Sequence, residues 1–259
     1  MTETESAPRF LPEYFQTWQE SLQWQPTPEQ QQQFQAIYAE ILAGNQQMNL
    51  TRITEPTEFW EKHLWDSLSG LSPWLQPASH PEWLAEHLTG TVTAIDIGTG
   101  AGLPGLPVAI ALPHWQMTLL DSTQKKIRFL QELIQKHGLS NVRAIADRAE
   151  FLAHQPSHRE QYDVALVRAV GSVAACAEYS LPLIKVDGIA VLYRGQWTEE
   201  DGQSLSRAAR QLGGQILDQR AWQTPLTQGV RHCIYLHKHK ITKETFPRNA
   251  GVPAKQPLA

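Results

Sequence analysis

An apolar, strand-like run carries one acidic residue and passes at once into a glycine-rich turn: Thr93-Ala94-Ile95-Asp96-Ile97-Gly98-Thr99-Gly100-Ala101-Gly102-Leu103-Pro104-Gly105. Glycines at alternate positions weaken both a strand and a helix, because glycine loses the most freedom on ordering. After an apolar strand they do something else. They allow positive φ, bring bare backbone close to a ligand, and open a helix at the edge of a parallel sheet. The run therefore demands a strand–turn–helix unit of an α/β fold with a nucleotide-like ligand against it.

Two frames compete for that ligand. Gly100 to Gly105 matches GxGxxG, the dinucleotide fingerprint, which is weak on its own. Asp96-x-Gly98-x-Gly100-x-Gly102 is the acidic pattern of S-adenosylmethionine (SAM) enzymes. Charge separates them. A dinucleotide brings an anionic pyrophosphate, which suits a helix N-terminus. SAM brings a sulfonium and an ammonium, beside which an acidic group is useful. Asp96 would repel a pyrophosphate, and no Lys or Arg lies between Asp96 and Asp121 to offset it. No Gly-Lys-Ser/Thr follows the glycines, so a phosphate-binding Walker loop is excluded.

The 259 residues suffice for one large α/β domain with an extension. Mean hydropathy is -0.38 and no apolar run approaches 18 residues, so a soluble chain with no membrane span is expected. The start of the chain has no signal-peptide pattern, and Cys176 and Cys233 are the two cysteines, which fits a reducing, cytoplasmic setting. Charge is uneven. Residues 1–90 carry 3 Lys+Arg against 12 Asp+Glu, whereas residues 231–259 carry 6 against 1. A basic end on an acidic protein suggests contact with a polyanion.

Three regions are expected: a helical extension over 1–90 packed on the core, a ligand-binding domain over 91–240, and a basic tail over 241–259. Residues 1–10 read as disordered. Helical spacing marks Leu11–Trp24 and Pro28–Leu42, and Thr54 reads as the N-cap of a helix continuing through Phe59–Leu71. Trp60, Trp65 and Trp74 sit at core spacing, and 76–90 form the approach to the sheet. Strands are expected at 92–97, 116–121, 141–146, 162–168, 188–194, 214–222 and 231–238. Helices are expected at 104–112, 123–137, 172–184 and 198–212, with a short one near 148–154. This alternation predicts a doubly wound, Rossmann-like, seven-stranded, mostly parallel sheet. The last two strands have no helix between them, so one should run antiparallel.

The candidate cofactor residues lie at strand ends. Gly98, Gly100 and Gly102 form the turn. Asp121 ends the second strand, where a carboxylate accepts from both ribose hydroxyls, and Ser122 and Thr123 lead into the next helix. Asp147-Arg148-Ala149-Glu150 follows the third strand and flanks an adenine in this architecture. Arg168 ends the fourth strand, where a cation is costly unless paired or facing ligand; Asp96 or Glu150 is its expected partner if it is paired. No spacing suggests a metal site.

Markers beyond the glycine run resemble a known family. They are Asn49-Leu50-Thr51-Arg52-Ile53-Thr54, Lys62-His63-Leu64-Trp65-Asp66-Ser67-Leu68, Leu120-Asp121-Ser122 with Lys125-Lys126 and Arg128-Phe129-Leu130, Arg148-Ala149-Glu150, Val167-Arg168-Ala169, Arg231-His232, and the tail from Phe246 to Leu258. From about Asn49 onward the chain resembles the bacterial glucose-inhibited division protein B family, the 16S rRNA guanine-N7 methyltransferases. The resemblance implies a class I SAM-dependent methyltransferase fold. It also implies methylation of N7 of a guanosine in the decoding-region loop of 16S rRNA, within a small-ribosomal-subunit particle. It carries cofactor contact to Gly98, Leu103, Asp121–Thr123, Ala149, Glu150 and Arg168. Val167 stands where the family commonly has Ser, and Arg194 where it usually has Lys. RNA contact is expected from Lys125, Lys126, Arg128, Arg194, Arg231, His232 and the basic tail. N7 carries a lone pair and no proton, so no general base is required. A non-catalytic SAM- and RNA-binding assembly factor and a NAD-dependent oxidoreductase are the competing readings.

Overall fold

The computed structural model describes residues 10–75, 81–85 and 91–258. The expectations for 1–9 and for most of 76–90 lie outside the described residues. Seven strands form one sheet in the order β3-β2-β1-β4-β5-β7-β6. They are β1 (Thr93–Ile97), β2 (Gln116–Asp121), β3 (Val142–Ala146), β4 (Tyr162–Arg168), β5 (Ile184–Arg194), β6 (Gly214–Gln223) and β7 (Val230–Lys238). β1 to β5 pair in parallel, and β7 runs antiparallel to both β5 and β6. The order reverses between β1 and β4. That switch point leaves a crevice at the strands' carboxyl ends, where ligands bind in open α/β sheets.

Helices α1 (Phe15–Leu22), α2 (Pro28–Asn45), α3 (Pro56–Phe59), α4 (Asp66–Ser69), α5 (Ser72–Leu75) and α6 (Glu82–Ala85) precede the sheet. Then come α7 (Gly105–Ala111), α8 (Gln124–Lys136), α9 (Ala149–Leu152), α10 (Val173–Ser180), α11 (Glu199–Gln211) and α12 (Val252–Lys255). Local chemistry sets several boundaries. Thr27 and Gln30 form a reciprocal capping box with Pro28 at the first turn of α2, and Thr198 and Asp201 do the same for α11. Two expected boundaries are corrected. The cap of α3 is Glu55, whose carboxylate accepts from the Glu58 N–H at 2.7 Å, rather than Thr54. α10 stops at Ser180 because Pro182 cannot continue it, and β5 starts early, Ile184 pairing with Tyr162 before a register shift.

Between α3 and α4 the backbone adopts a π-turn, Trp60–Trp65. It is held through Glu61, a buried residue whose carboxylate accepts from the Leu226 and Thr227 N–H groups and the Thr227 hydroxyl in the β6–β7 loop. Burial pushes the Glu61 carboxyl up, but those bonds outweigh it and hold it below its ordinary value.

Strand alternation divides the core into two layers. Ala94, Val164, Leu166, Val191, Tyr193, Cys233 and Tyr235 face the helical extension, α7 and α8. Ile95, Ile97, Ala165, Val167, Ala190, Leu192, Ile234 and Leu236 face α9 to α11 and the end of the chain. The extension is fastened as well as packed. Tyr193 donates to the Ser67 carbonyl at 2.7 Å, Tyr235 to the Gly70 carbonyl at 3.0 Å, and Gln30 to the Ile110 carbonyl at 2.8 Å. Trp18 and Trp60 are fully buried and meet edge-on at 4.6 Å, and Trp65 is buried as its spacing implied.

Because α1 shares the sheet's apolar core, Trp18→Ala should destabilise the whole molecule by about 3–5 kcal/mol. Urea unfolding should show one transition at a lower midpoint. A separate low-denaturant transition, with the main one unmoved, would mean the extension is not part of the cooperative unit.

Candidate active site

The turn after β1 is built as its sequence demands. Gly98, Gly100 and Gly102 all lie at positive φ, 74°, 59° and 91°. Asp96 sits beneath them, fully buried. Its Oδ2 accepts from the Thr99 hydroxyl at 2.5 Å and from the Gly105 N–H at 2.9 Å, which ties the turn to the first residue of α7. Its Oδ1 has no hydrogen-bond partner among the described residues. Burial is the main cause of the Asp96 carboxyl's rise to about 6, with the Thr99 and Gly105 bonds acting against it. Asp121 closes the other side. Its Oδ2 accepts from the Gly100 N–H at 3.0 Å and its Oδ1 from the Thr123 N–H at 2.8 Å. Thr123 caps α8 with no side-chain bond, so the Asp121 carboxylate does that work.

Two cavities open at the switch point. The first, about 140 Å³, is lined by Gly98, Asp121, Ser122, Ala149, Glu150 and their neighbours. Its polar wall is acidic: among the described residues the one cation on it, Arg148, is bonded to Glu150 at 3.0 Å. Burial acts to raise the Glu150 carboxyl, but donation from Arg148 and the Gly251 N–H holds it below its ordinary value. Of the remaining expected cofactor residues, Asp96, Gly100, Gly102, Leu103 and Thr123 do not line this cavity; they shape the turn that bounds it.

The second cavity, about 650 Å³, is walled by Lys62, His63, Asp66, Arg168, Arg194 and Arg231 among others. That volume suits a small-ligand site. Arg168 is paired with neither Asp96 nor Glu150. Its guanidinium donates to Asp66 Oδ2 at 2.9 Å and to the Lys62 carbonyl at 3.1 Å. The reason is the pleat. Arg168 has the parity of Leu166 and so faces the helical extension, where Asp66 lies. Arg231 has the parity of Cys233 and Tyr235, and its Nε lies 3.3 Å from Asp66 Oδ1. One buried carboxylate thus holds the ends of two strands. His63 lies against Arg168 at 3.5 Å and meets the Thr51 hydroxyl at 2.8 Å. Burial, then the Arg168 charge, lowers its ring to about 3, so it is neutral.

The expected RNA residues divide. Arg194 and Arg231 line the second cavity. His232 sits opposite Arg194 in the β5–β7 ladder, its ring Nδ1 3.3 Å from the Gly195 carbonyl. Lys125, Lys126 and Arg128 lie on α8 and line neither cavity, and Lys125 donates to the Gln47 carbonyl at 3.0 Å. Lys62, His63 and Asp66, which belong to the marker Lys62–Leu68 but are not among the expected contact residues, also line the second cavity; their helical spacing on an otherwise apolar segment is the signal for it. Among the described residues, no group of three or more His, Cys, Asp or Glu could hold a metal, and no helix is long and apolar enough to cross a membrane.

The neutral His63 fixes a pH dependence. Between 6.5 and about 3 the unfolded chain binds a proton there and the folded chain does not, so acid favours unfolding. Stability of the wild type relative to His63→Gln should therefore fall on acidification from pH 6.5, by about 1.4 kcal/mol per pH unit. Urea unfolding of both proteins from pH 7 to 4.5 checks this; a constant difference would mean His63 titrates alike in both states.

The sequence model of GidB, described as rRNA small subunit methyltransferase G, matches residues 30–225. A ribosomal RNA small subunit methyltransferase G of Trichormus variabilis is 55% identical over 248 residues, covering 96% of this chain and 98% of its own. One of the same description from Microcystis aeruginosa is 54% identical over 228 residues, covering 88% of this chain and 99% of its own. Among solved structures, a 16S rRNA (adenine(1408)-N(1))-methyltransferase from Catenulisporales acidiphilia has TM-score 0.49 and 16% identity. It aligns with 61% of this chain and 90% of its own, a likeness too remote to inform the chemistry. With a family match over residues 30–225 and relatives at this identity over 88% and 96% of its length, the chain belongs to the GidB family of rRNA small subunit methyltransferases G.

Proposed function

We propose that this enzyme transfers the methyl group of SAM to N7 of one guanosine in the decoding-region loop of 16S rRNA, acting in the cytoplasm on a small-ribosomal-subunit particle. The observation that carries this reading is the abutment of two unlike cavities at the switch point. An acidic pocket lies beside a larger cation-walled one, and the segment Arg168–Val170 borders both.

The first pocket fits SAM on its donor set. Asp121 retains carboxylate lone pairs for ribose hydroxyls beyond the two backbone bonds it accepts. Ala149 and Glu150 offer an N–H and a carboxylate to an adenine edge. Gly98 supplies bare backbone: a Cβ there would come within 2.8 Å of Val170. Gly100, Gly102 and Leu103 hold that turn, and Ser122 and Thr123 border it. Asp96 gives the turn its shape and brings negative charge beneath a cationic ligand. Bound SAM supplies an electrophilic methyl group. An anionic pyrophosphate finds no free cation on this wall among the described residues, which weighs against a dinucleotide.

The second cavity suits a nucleotide. Arg194, bonded to the Gly171 carbonyl and to no carboxylate among the described residues, places positive charge for phosphates, with Lys62, paired with Glu58, and Arg231, paired with Asp66, beside it; such a contact is salt-sensitive. N7 needs no proton removed, and the site matches: among the described residues the one imidazole on the wall, His63, is held neutral at a value too low for a useful base at pH 7. The residues' work is alignment.

The test is methyl transfer from radiolabelled SAM to small-subunit particles and to deproteinised rRNA from cells lacking this protein, mapped by cleavage specific for 7-methylguanosine. One labelled guanosine is expected. Arg168→Ala, which leaves Asp66 without its nearer partner, should cut kcat/KM by about 100-fold or more. SAM binding with no transfer to either RNA would support the assembly-factor reading instead.

A further inference from the structure

The segment after β7 reads as an RNA-facing basic tail, yet its central cation is turned inward. Glu178 on α10 is fully buried, and Arg248 encloses it. The Arg248 backbone N–H and Nε donate to Oε1 at 2.8 and 2.9 Å, and Nη2 donates to Oε2 at 2.6 Å. A carboxylate without water needs such a counter-ion, so the pair fixes where the segment lies. Arg159 adds three anchors by donating to the carbonyls of Phe246, Thr242 and Lys243 at 2.9, 2.8 and 3.1 Å. Leu258 ends the segment inside the apolar layer shared with α9 and α10.

Held this way, the chain reaches the cofactor pocket. At the start of α12 the Gly251 N–H, at φ 80°, donates to Glu150 Oε1 at 2.8 Å across 101 positions. Arg148 donates to the same oxygen at 3.0 Å. Neither bond uses Oε2. Glu150 is thereby oriented from two sides, with its second oxygen left for a ligand donor.

We propose that residues 246–258 are a strap that orients Glu150 for cofactor binding, with Arg248 and Gly251 as positioning residues. The inference rests on the reading of the first cavity as the SAM site. Its consequence is reciprocal coupling. Whatever affinity the strap lends the cofactor, the cofactor returns as order in the strap.

The experiment uses the full-length protein and S-adenosylhomocysteine. Hydrogen exchange in 246–258 should slow when the ligand binds the wild type. The paired variant Glu178→Gln with Arg248→Met leaves no buried orphan charge. It should raise the ligand Kd and the KM for SAM by about tenfold, leave the KM for RNA unchanged, and keep the native circular dichroism. Arg248→Lys should recover part of the loss. Unchanged exchange in the wild type overturns the strap without reference to any variant. So does a folded paired variant with wild-type ligand affinity, or one whose KM for RNA alone rises. A wild type that binds no S-adenosylhomocysteine overturns the cofactor reading and the strap with it.

Discussion

Asp66 joins three distant parts of the chain. Its two oxygens take Arg168 from the end of β4 and Arg231 from the start of β7, and its own backbone begins α4. Asp66 and Arg168 are largely withdrawn from water and Arg231 is half-buried; such charges are tolerated because each has a partner. Removing the carboxylate would leave two guanidinium groups facing one another beside a neutral imidazole. The larger cavity therefore depends on this one contact for its shape and for the placement of its charge.

That contact arises from the arrangement of layers. A sheet with period-two alternation sends every second side chain to the same face. Arg168, Tyr193 and Arg231 share the face covered by the helical extension, so the extension supplies their partners: Asp66 for the arginines and the Ser67 carbonyl for Tyr193. The opposite face holds the pocket's far wall and the end of the chain. The crevice lies where the two faces meet, at the reversal of strand order.

Much of this is legible in the sequence. Strand and helix spans come from alternation and spacing, and the antiparallel β7 from the missing helix between the last two strands. The glycine turn and Asp121 are readable because strand ends and turns carry local signatures. Pairing across long separations is not readable. Proximity to the turn makes Asp96 or Glu150 the expected partner of Arg168, but the pleat turns Arg168 to the face of the helical extension, where Asp66 lies. The inward turn of Arg248 is hidden for the same reason. A basic residue in a polar segment looks solvated until a buried glutamate 70 positions earlier is placed beside it.

The π-turn at Trp60–Trp65 sets the rotational phase of α4. An α-helix advances about 100° per residue, and a π-turn takes in one residue more per turn, so the same residues wound as a regular α-helix would carry the chain further round the axis. Every later side chain of α4 would then swing by roughly a quarter turn about the axis. Asp66 would leave the two arginines, and Ser67 would leave Tyr193. The winding of this short stretch, held through Glu61, is thus as constrained as its composition.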